Sequence, residues 1–288
     1  MNLKQPSFFS DLRHKPEAMR KYIFYIAAVL LSSSFIVKDG HQYRQVKNNS
    51  FARGERFVYE AHYLGFNGGE GVITLDDDIH KVNGRDCYKV DVHGKTTGMA
   101  SWFYQVEDLW RSYIDTGAIT SQKFFRDISE GKNYKLKETT LFDHKNKKGK
   151  LKQDKKGKVK VKEFKLKEYP QDMISGYYYL RTIDFDNKNP GDVINMNAVY
   201  EDTVYDFSVK YLGKEILKTK VGKIHTFALS PIMPDNKLFD GGDAITFWVS
   251  DDKNRVPLEV KAKMFIAAVR IELVDYSGLK YPFNFAED

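Results

Sequence analysis

The sequence predicts an all-β protein: a strongly curved antiparallel sheet, or open half-barrel, with one short helix near residues 172–181. Three observations carry this expectation. Apolar and polar residues alternate in short runs parted by turn residues; Ile245, Phe247 and Val249 give way to a polar break at 250–254, and the pattern resumes at Val256, Leu258 and Val260. Aromatics abound, with 18 Tyr and 20 Phe, and such residues favour pleated, half-buried surfaces. Only one stretch has convincing helical spacing.

Taken in order, residues 57–63 and 72–75 read as strands flanking a glycine-rich hairpin turn at 65–71. A phosphate-binding loop would need a helix directly after its glycines, and no helical pattern follows. Strands are expected at 88–92, 109–114, 119–128 and 134–142, with Asn83-Gly84 and Asp115-Thr116-Gly117 as turns. Lys158 to Lys162 alternates Lys with Val, the pattern of an exposed strand whose charge prevents edge pairing. Asp172 is the expected N-cap of the helix, whose Met173, Tyr177 and Leu180 share one face. Pro190-Gly191-Asp192 turns the chain into strands at 193–199, 204–211, 216–219 and 226–229, and the hairpin around 250–254 leads to a last strand ending near Leu273. Residues 51–168 and 183–288 each place a turn-plus-strand unit ahead of an aromatic strand that turns at Asp and returns, so the single domain, 51–288, reads as two similar halves.

Ahead of the domain, Met19-Arg20-Lys21 precedes an apolar run at 22–31 and three serines, the parts of a secretory signal. The run is short for a bilayer span. Residues 1–34 are therefore read as an N-terminal extension plus signal peptide, with Met19 as the true start, and 35–50 as a flexible linker. An uncleaved anchor or a buried helix is the alternative. The expected location is the periplasm or envelope of a bacterium, without a lipid anchor, because no Cys follows the apolar run. The single cysteine, Cys87, cannot form an internal disulfide and reads as a small residue on the less buried face of its strand.

The net charge of +7 owes much to one run, 144–167. Its Lys147, Lys148, Lys150, Lys152, Lys155, Lys156, Lys158, Lys160 and Lys162 could meet an anionic membrane surface or polysaccharide, or form a solvated protruding hairpin. Nucleic acid is not expected, since only Phe164 interrupts the run and base stacking needs interleaved aromatics. The seven His lack ligand spacing, no GxSxG elbow occurs, and Asp76-Asp77-Asp78 and Asp251-Asp252 lack the remaining ligands of a calcium loop. No catalytic residue, metal or cofactor is expected, and the protein reads as non-enzymatic; a glycan-active enzyme without a recognisable motif stays open.

A curved sheet with a helix on its concave face encloses an apolar volume that either fills with side chains or holds a ligand. Phe103, Trp110, Phe207, Phe247 and Trp248 are the candidate lining residues, with plain core packing the competing explanation. Two functions follow: binding of a lipid or other apolar ligand, or a structural or interaction module of the envelope working through the lysine hairpin.

Several segments together resemble one family. They are Gly54-Glu55-Arg56-Phe57-Val58-Tyr59-Glu60, the DMISGYYYLR stretch from Asp172 to Arg181, Pro190-Gly191-Asp192, Thr219-Lys220-Val221-Gly222-Lys223, and the FWVSDDKNRVP stretch from Phe247 to Pro257. In these the chain resembles the exported bacterial proteins grouped as domain of unknown function 3108. The resemblance implies export, an all-β envelope domain and no established activity, and it carries over no functional residue.

Overall fold

The computed structural model describes residues 43–63, 65–232, 244–263 and 268–287. The expected signal segment and the linker up to residue 42 lie outside these. Among the described residues, fourteen strands form one sheet in which every neighbouring pair is antiparallel. A first meander runs β1 (Arg56–Tyr63), β2 (Phe66–Val82), β3 (Arg85–Thr96), β4 (Val106–Asp115), β5 (Ser121–Glu130), β6 (Tyr134–Asp143), β7 (Lys148–Lys155) and β8 (Lys158–Lys165). A second runs β9 (Val193–Tyr200), β10 (Thr203–Thr219), β11 (Gly222–Pro231), β12 (Ile245–Ser250), β13 (Pro257–Lys263) and β14 (Ala268–Ser277). Helix α1 (Ala100–Phe103) interrupts the β3–β4 connection, and α2 (Met173–Leu180) joins the two meanders.

The first and last strands pair in the middle of the sheet, β1 with β14, so the edges are β8 and β9. These edges are not hydrogen-bonded to each other and the sheet does not close into a barrel. It is nonetheless bent until its ends meet through side chains. Lys162 pairs with Asp202 at 2.7 Å, and Arg126 on β5 donates to the Tyr200 hydroxyl at 3.0 Å and to Glu201 at 3.1 Å. Each meander opens with an 8-residue strand followed by one of 17 residues, long enough to follow that curvature.

The structure revises several local expectations. Strand β2 already begins at Phe66, so Gly68, Gly69 and Gly71 lie inside it rather than in a flexible loop. The runs at 204–211 and 216–219 are one strand, β10, bent by a bulge between Tyr211 and Gly213. Ile119 belongs to the β4–β5 turn, with φ 45°. Folding begins before residue 51: Val46 donates its N–H to the Gly117 carbonyl at 2.7 Å, and the Arg44 guanidinium lies 4.4 Å from the ring centres of both Tyr169 and Tyr179. Sequence could not reveal partners more than 70 residues away. Cys87 is fully buried rather than on a less buried face; it stands opposite the buried Asp115 on β4, and its thiol donates to the Arg85 carbonyl at 3.5 Å.

Asn83-Gly84 makes the expected two-residue hairpin, both residues having positive φ (53° and 74°), as a turn matching strand twist requires. Three apolar clusters make up the core. The largest gathers Phe51, Leu75, Val90, Ile114, Phe124 and Phe142 against Ile174 and Tyr178 of α2. The second joins Leu180 and Phe185 to Ile194, Val209, Phe227 and Val249, and the third centres on Phe57, Leu258 and Leu273. Among the described residues no helix is long and apolar enough to cross a membrane.

Candidate functional site: an apolar hollow above the inner helix

Helix α2 is anchored at both ends. At its start the Asp172 carboxylate accepts the N–H groups of Ile174 and Ser175 at 2.8 Å, while Ser175 Oγ accepts the Asp172 N–H at 2.9 Å, a complete capping box. The other carboxylate oxygen accepts the hydroxyls of Ser112 on β4 and Ser121 on β5 at 2.6 and 2.5 Å, which ties the cap to the first meander. Burial pushes the Asp172 carboxyl above its usual range, against the pull of these four donors.

At the helix's end, the fully buried Arg181 forms a bidentate pair with the fully buried Glu55; Nη2 is 2.9 Å from Oε2, and Nη1 closes on Oε1. The Tyr178 hydroxyl also donates to Glu55 at 3.0 Å. Arg181 Nε donates to the Asn254 carbonyl at 3.0 Å, and Ser50 Oγ donates to the Arg181 carbonyl at 2.6 Å. Rings of Phe51, Phe57 and Tyr178 surround the guanidinium at 5.2 to 5.6 Å. Burial disfavours the charge on Arg181, but Glu55 and the tyrosine oxygens outweigh it and hold the group above its ordinary value. Three segments far apart in sequence, around Glu55, Arg181 and Asn254, thus meet at one point.

With its ends fixed, α2 turns two faces in different directions. Ile174 and Tyr178 enter the first core cluster. The stripe Met173, Tyr177 and Leu180, which the spacing marked as apolar, borders a hollow of about 370 Å³, with Leu180 also in the second core cluster and Tyr177 against the first. Gln171, Asp172, Gly176, Met196, Ala198, Val199, Tyr200, Phe207, Phe247, Pro257 and Val260 complete its wall. Phe247 pairs with Val260, Val260 with Ile271, Ile271 with Ala61 and Ala61 with Gly69, so these residues form one row on one face across five strands. The row shrinks from Phe to Gly and continues the hollow's wall along the sheet. A Cβ at Gly71, next to it, would meet nothing nearer than 3.9 Å. Two buried polar atoms in residues of the wall, Gln171 Oε1 and Tyr177 Oη, have no hydrogen-bond partner.

Of the aromatic residues singled out in sequence, Phe207 and Phe247 line the hollow. Trp110 is on the concave side but packs over Gly94 and against the first core cluster. Trp248 alternates with Phe247, is buried elsewhere, and donates its indole N–H to Glu215. Phe103 lies exposed on α1, which has no buried side chain. Sequence reasoning missed Met173, Met196, Tyr200 and Val260; the apolar stripe on α2 was the available signal.

The lysines divide between faces. Lys148, Lys150 and Lys152 alternate with the buried Gly149 and Leu151 and point outward, while Lys147 pairs with Glu168 at 3.0 Å. Lys158, Lys160 and Lys162 share the inner face with Gln153 and Leu151, and Val159 and Val161 are exposed on the outer face. Lys155, Lys156, Lys158 and Lys160 line, with Tyr134, Leu136, Gln153 and Glu201, a second cleft of about 520 Å³. Tyr200 and Glu201, adjacent on the β9–β10 turn, border the hollow and this cleft respectively.

One group of potential metal ligands, invisible in the spacing, is assembled by β1 and β14: His62 Nε2 lies 3.1 Å from Glu272 and 3.5 Å from Glu60. Lys220 and Arg270 neutralise the same carboxylates, at 2.5 Å from Glu60 and 2.7 Å from Glu272.

Comparison with known proteins agrees with the architecture. A β-barrel-like protein of the domain of unknown function DUF1849 from Brucella abortus has 12% identity and a TM-score of 0.50, covering 84% of this chain and 100% of that one. A protein from Bacteroides fragilis with a YmcC-like fold, described as exported, has 9% identity and a TM-score of 0.34, covering 81% and 99%. No curated protein matches the sequence. The family described as protein of unknown function DUF3108 matches residues 58–274, a span holding the anchored helix, the hollow and two of the three segments that meet at Arg181, and the chain belongs to that family.

Proposed function

We propose that the protein is a non-enzymatic binder of an apolar ligand, a lipid acyl chain or a hydrophobe of similar shape, held in the hollow above α2. The observation that carries this reading is the Met173–Tyr177–Leu180 stripe. The helix is already fixed by its cap, by the Glu55–Arg181 pair and by the packing of Ile174, Tyr178 and Leu180 in the core, so Met173, left exposed beside the hollow, is not needed to hold it. Apolar groups beside empty volume forfeit dispersion contacts, and a hydrophobic guest restores them. The hollow is within the volume range of small-molecule sites, about 300–1,000 Å³, and its lining is predominantly apolar. The basic residues and apolar run at 19–34 support placing this activity outside the cytoplasm.

The test is titration of the purified protein with a fluorescent fatty acid. Saturable binding is expected, and Val260→Trp, which fills the hollow from β13, should abolish it while leaving the thermal transition within a few degrees of the parent. A folded parent that binds no probe, or a Val260→Trp variant that binds it undiminished, would remove the basis for the proposal.

A further inference from the structure

The antiparallel register puts one set of turns at one rim of the sheet: β1–β2, the β3–β4 connection with α1, β5–β6, β7–β8 and β9–β10. Large apolar side chains are exposed along this rim. Trp102 is 84% exposed and Phe103 87%, Phe66 is 71% exposed, and Met99, Tyr63 and Tyr104 are each more than half exposed. They form a connected strip. Tyr63 pairs with Phe66 across the first hairpin; the Thr97 N–H donates to the Gly68 carbonyl at 3.1 Å and a Cβ on Gly68 would touch Ala100, which seats α1 beside that hairpin. On the other side the Tyr104 ring covers Gly131, whose N–H donates to the Gln105 carbonyl at 2.7 Å. Beyond lies the β5–β6 turn with Lys132 and Tyr134, and Lys155 sits 4.7 Å above the Tyr134 ring. Lys156, Lys158 and Lys160 extend the strip to the β7–β8 tip.

No core explains these residues. No side chain of α1 is buried, and a run of exposed Trp-Phe-Tyr is costly to keep in water. Aromatic side chains at loop tips next to lysines fit the headgroup layer of a bilayer, where rings partition between apolar and wet regions and lysines meet anionic phosphates. The acids nearby are partly engaged: Glu70 with Lys95, Glu201 with Arg126, Asp202 with Lys162, and Asp154 with the Gly157 N–H, leaving Glu107 and Glu130 at the strand ends.

We infer that this rim docks on an anionic lipid bilayer, with Trp102 and Phe103 entering the headgroup region and the β7–β8 lysines contacting lipid phosphates. The inference does not depend on the hollow being occupied, since Trp102, Phe103 and the β7–β8 lysines do not line it.

The experiment is flotation of the full chain with vesicles of phosphatidylcholine alone and of phosphatidylcholine mixed with phosphatidylglycerol, together with quenching of Trp emission by brominated lipid. The parent should float with the mixed vesicles and its emission should be quenched. Trp102→Ser/Phe103→Ser should lower vesicle affinity by about tenfold or more, because two side chains of this size carry most of the apolar insertion. Lys155→Gln/Lys156→Gln/Lys158→Gln should erase the preference for the anionic vesicles. Trp102→Phe should float like the parent but lose most of the quenching, since Trp110 and Trp248 are away from the rim. Undiminished flotation of the Trp102→Ser/Phe103→Ser variant would overturn the inference by assigning adsorption to another segment. So would a parent that ignores both vesicles but self-associates through Trp102 and Phe103, which would make a second copy the occupant.

Discussion

Glu55 and Arg181 are buried as completely as any residues in the core, yet both are charged. Such a pair survives because each group's hydrogen bonds are met: Arg181 has Glu55 and the Asn254 carbonyl, and Glu55 has Arg181 and the Tyr178 hydroxyl. Breaking one side leaves the other desolvated and unpaired. Glu55→Gln should cost about 3–5 kcal/mol in urea unfolding, whereas Glu55→Leu with Arg181→Met should recover much of that loss. A Glu55→Gln cost below about 1 kcal/mol, the scale of a surface pair, would show that the node is not the anchor described here. Cys87 makes a complementary case. Burial pushes its thiol up to about 12, so at pH 8 it is neutral as well as inaccessible. Alkylation by iodoacetamide should be negligible in the native protein and complete after unfolding.

At the scale of elements, the capped helix and the Asp115 turn show what local sequence can specify. Asp172→Ala removes two helix-capping bonds and the acceptor of two buried hydroxyls. The capping part alone is worth about 0.5–2 kcal/mol, and the stranded Ser112 and Ser121 hydroxyls should carry the measured loss above that range. The Asp115 carboxyl is raised by burial, but Arg85 and the Ala118 and Gly117 N–H groups outweigh this and hold it below the usual range. Its folded value is the lowered one, so its stabilisation is present above the unfolded value near about 3.9 and is lost as pH falls through the folded value. Asp115→Asn should therefore lower stability at pH 6 and flatten the acid limb below about pH 4 in denaturant melts.

Periodicity made the strands, the Asn83-Gly84 hairpin, the polar turn after Ser250 and the Asp172 cap legible, because each depends on residues close in the chain. What stayed hidden depends on distant partners. The register that aligns Phe247 with Val260 and Ile271, and the long β10 that absorbs two apparent strands, cannot be read from alternation alone. Alternation put Phe247 on one face with Ile245 and Val249 and Trp248 on the other, but only the pairing of Phe247 with Val260 shows which of these faces borders the hollow. The α2 stripe was visible, but spacing shows only that a face is apolar, not whether core or empty space lies opposite it.

For the whole molecule, the topology explains the hollow. Pairing β1 with β14 makes the middle of the sheet continuous, while α2, fastened to β4 and β5 at one end and to Glu55 and Asn254 at the other, lies across the concave face. One ion pair from β8, Lys162–Asp202, and the Arg126 contacts from β5 hold the β9–β10 turn to the far edge without pairing β8 with β9. Closure through side chains costs less to open than a hydrogen-bonded ladder would, so Lys162→Ala with Glu201→Gln, which spares the buried Arg126–Glu138 pair, should loosen β8 and β9 first. Hydrogen exchange should show faster exchange in those strands, with β1 and β14 unchanged.

The central claim is that the concave face keeps an apolar hollow for a guest. Crystals grown with a brominated fatty acid test it most directly through the anomalous signal of the bromine. The account predicts a peak between α2 and the row formed by Phe207, Phe247 and Val260. A well-ordered crystal in which Phe207, Phe247 and Tyr177 have collapsed to fill that space, with no peak beside them, would contradict it.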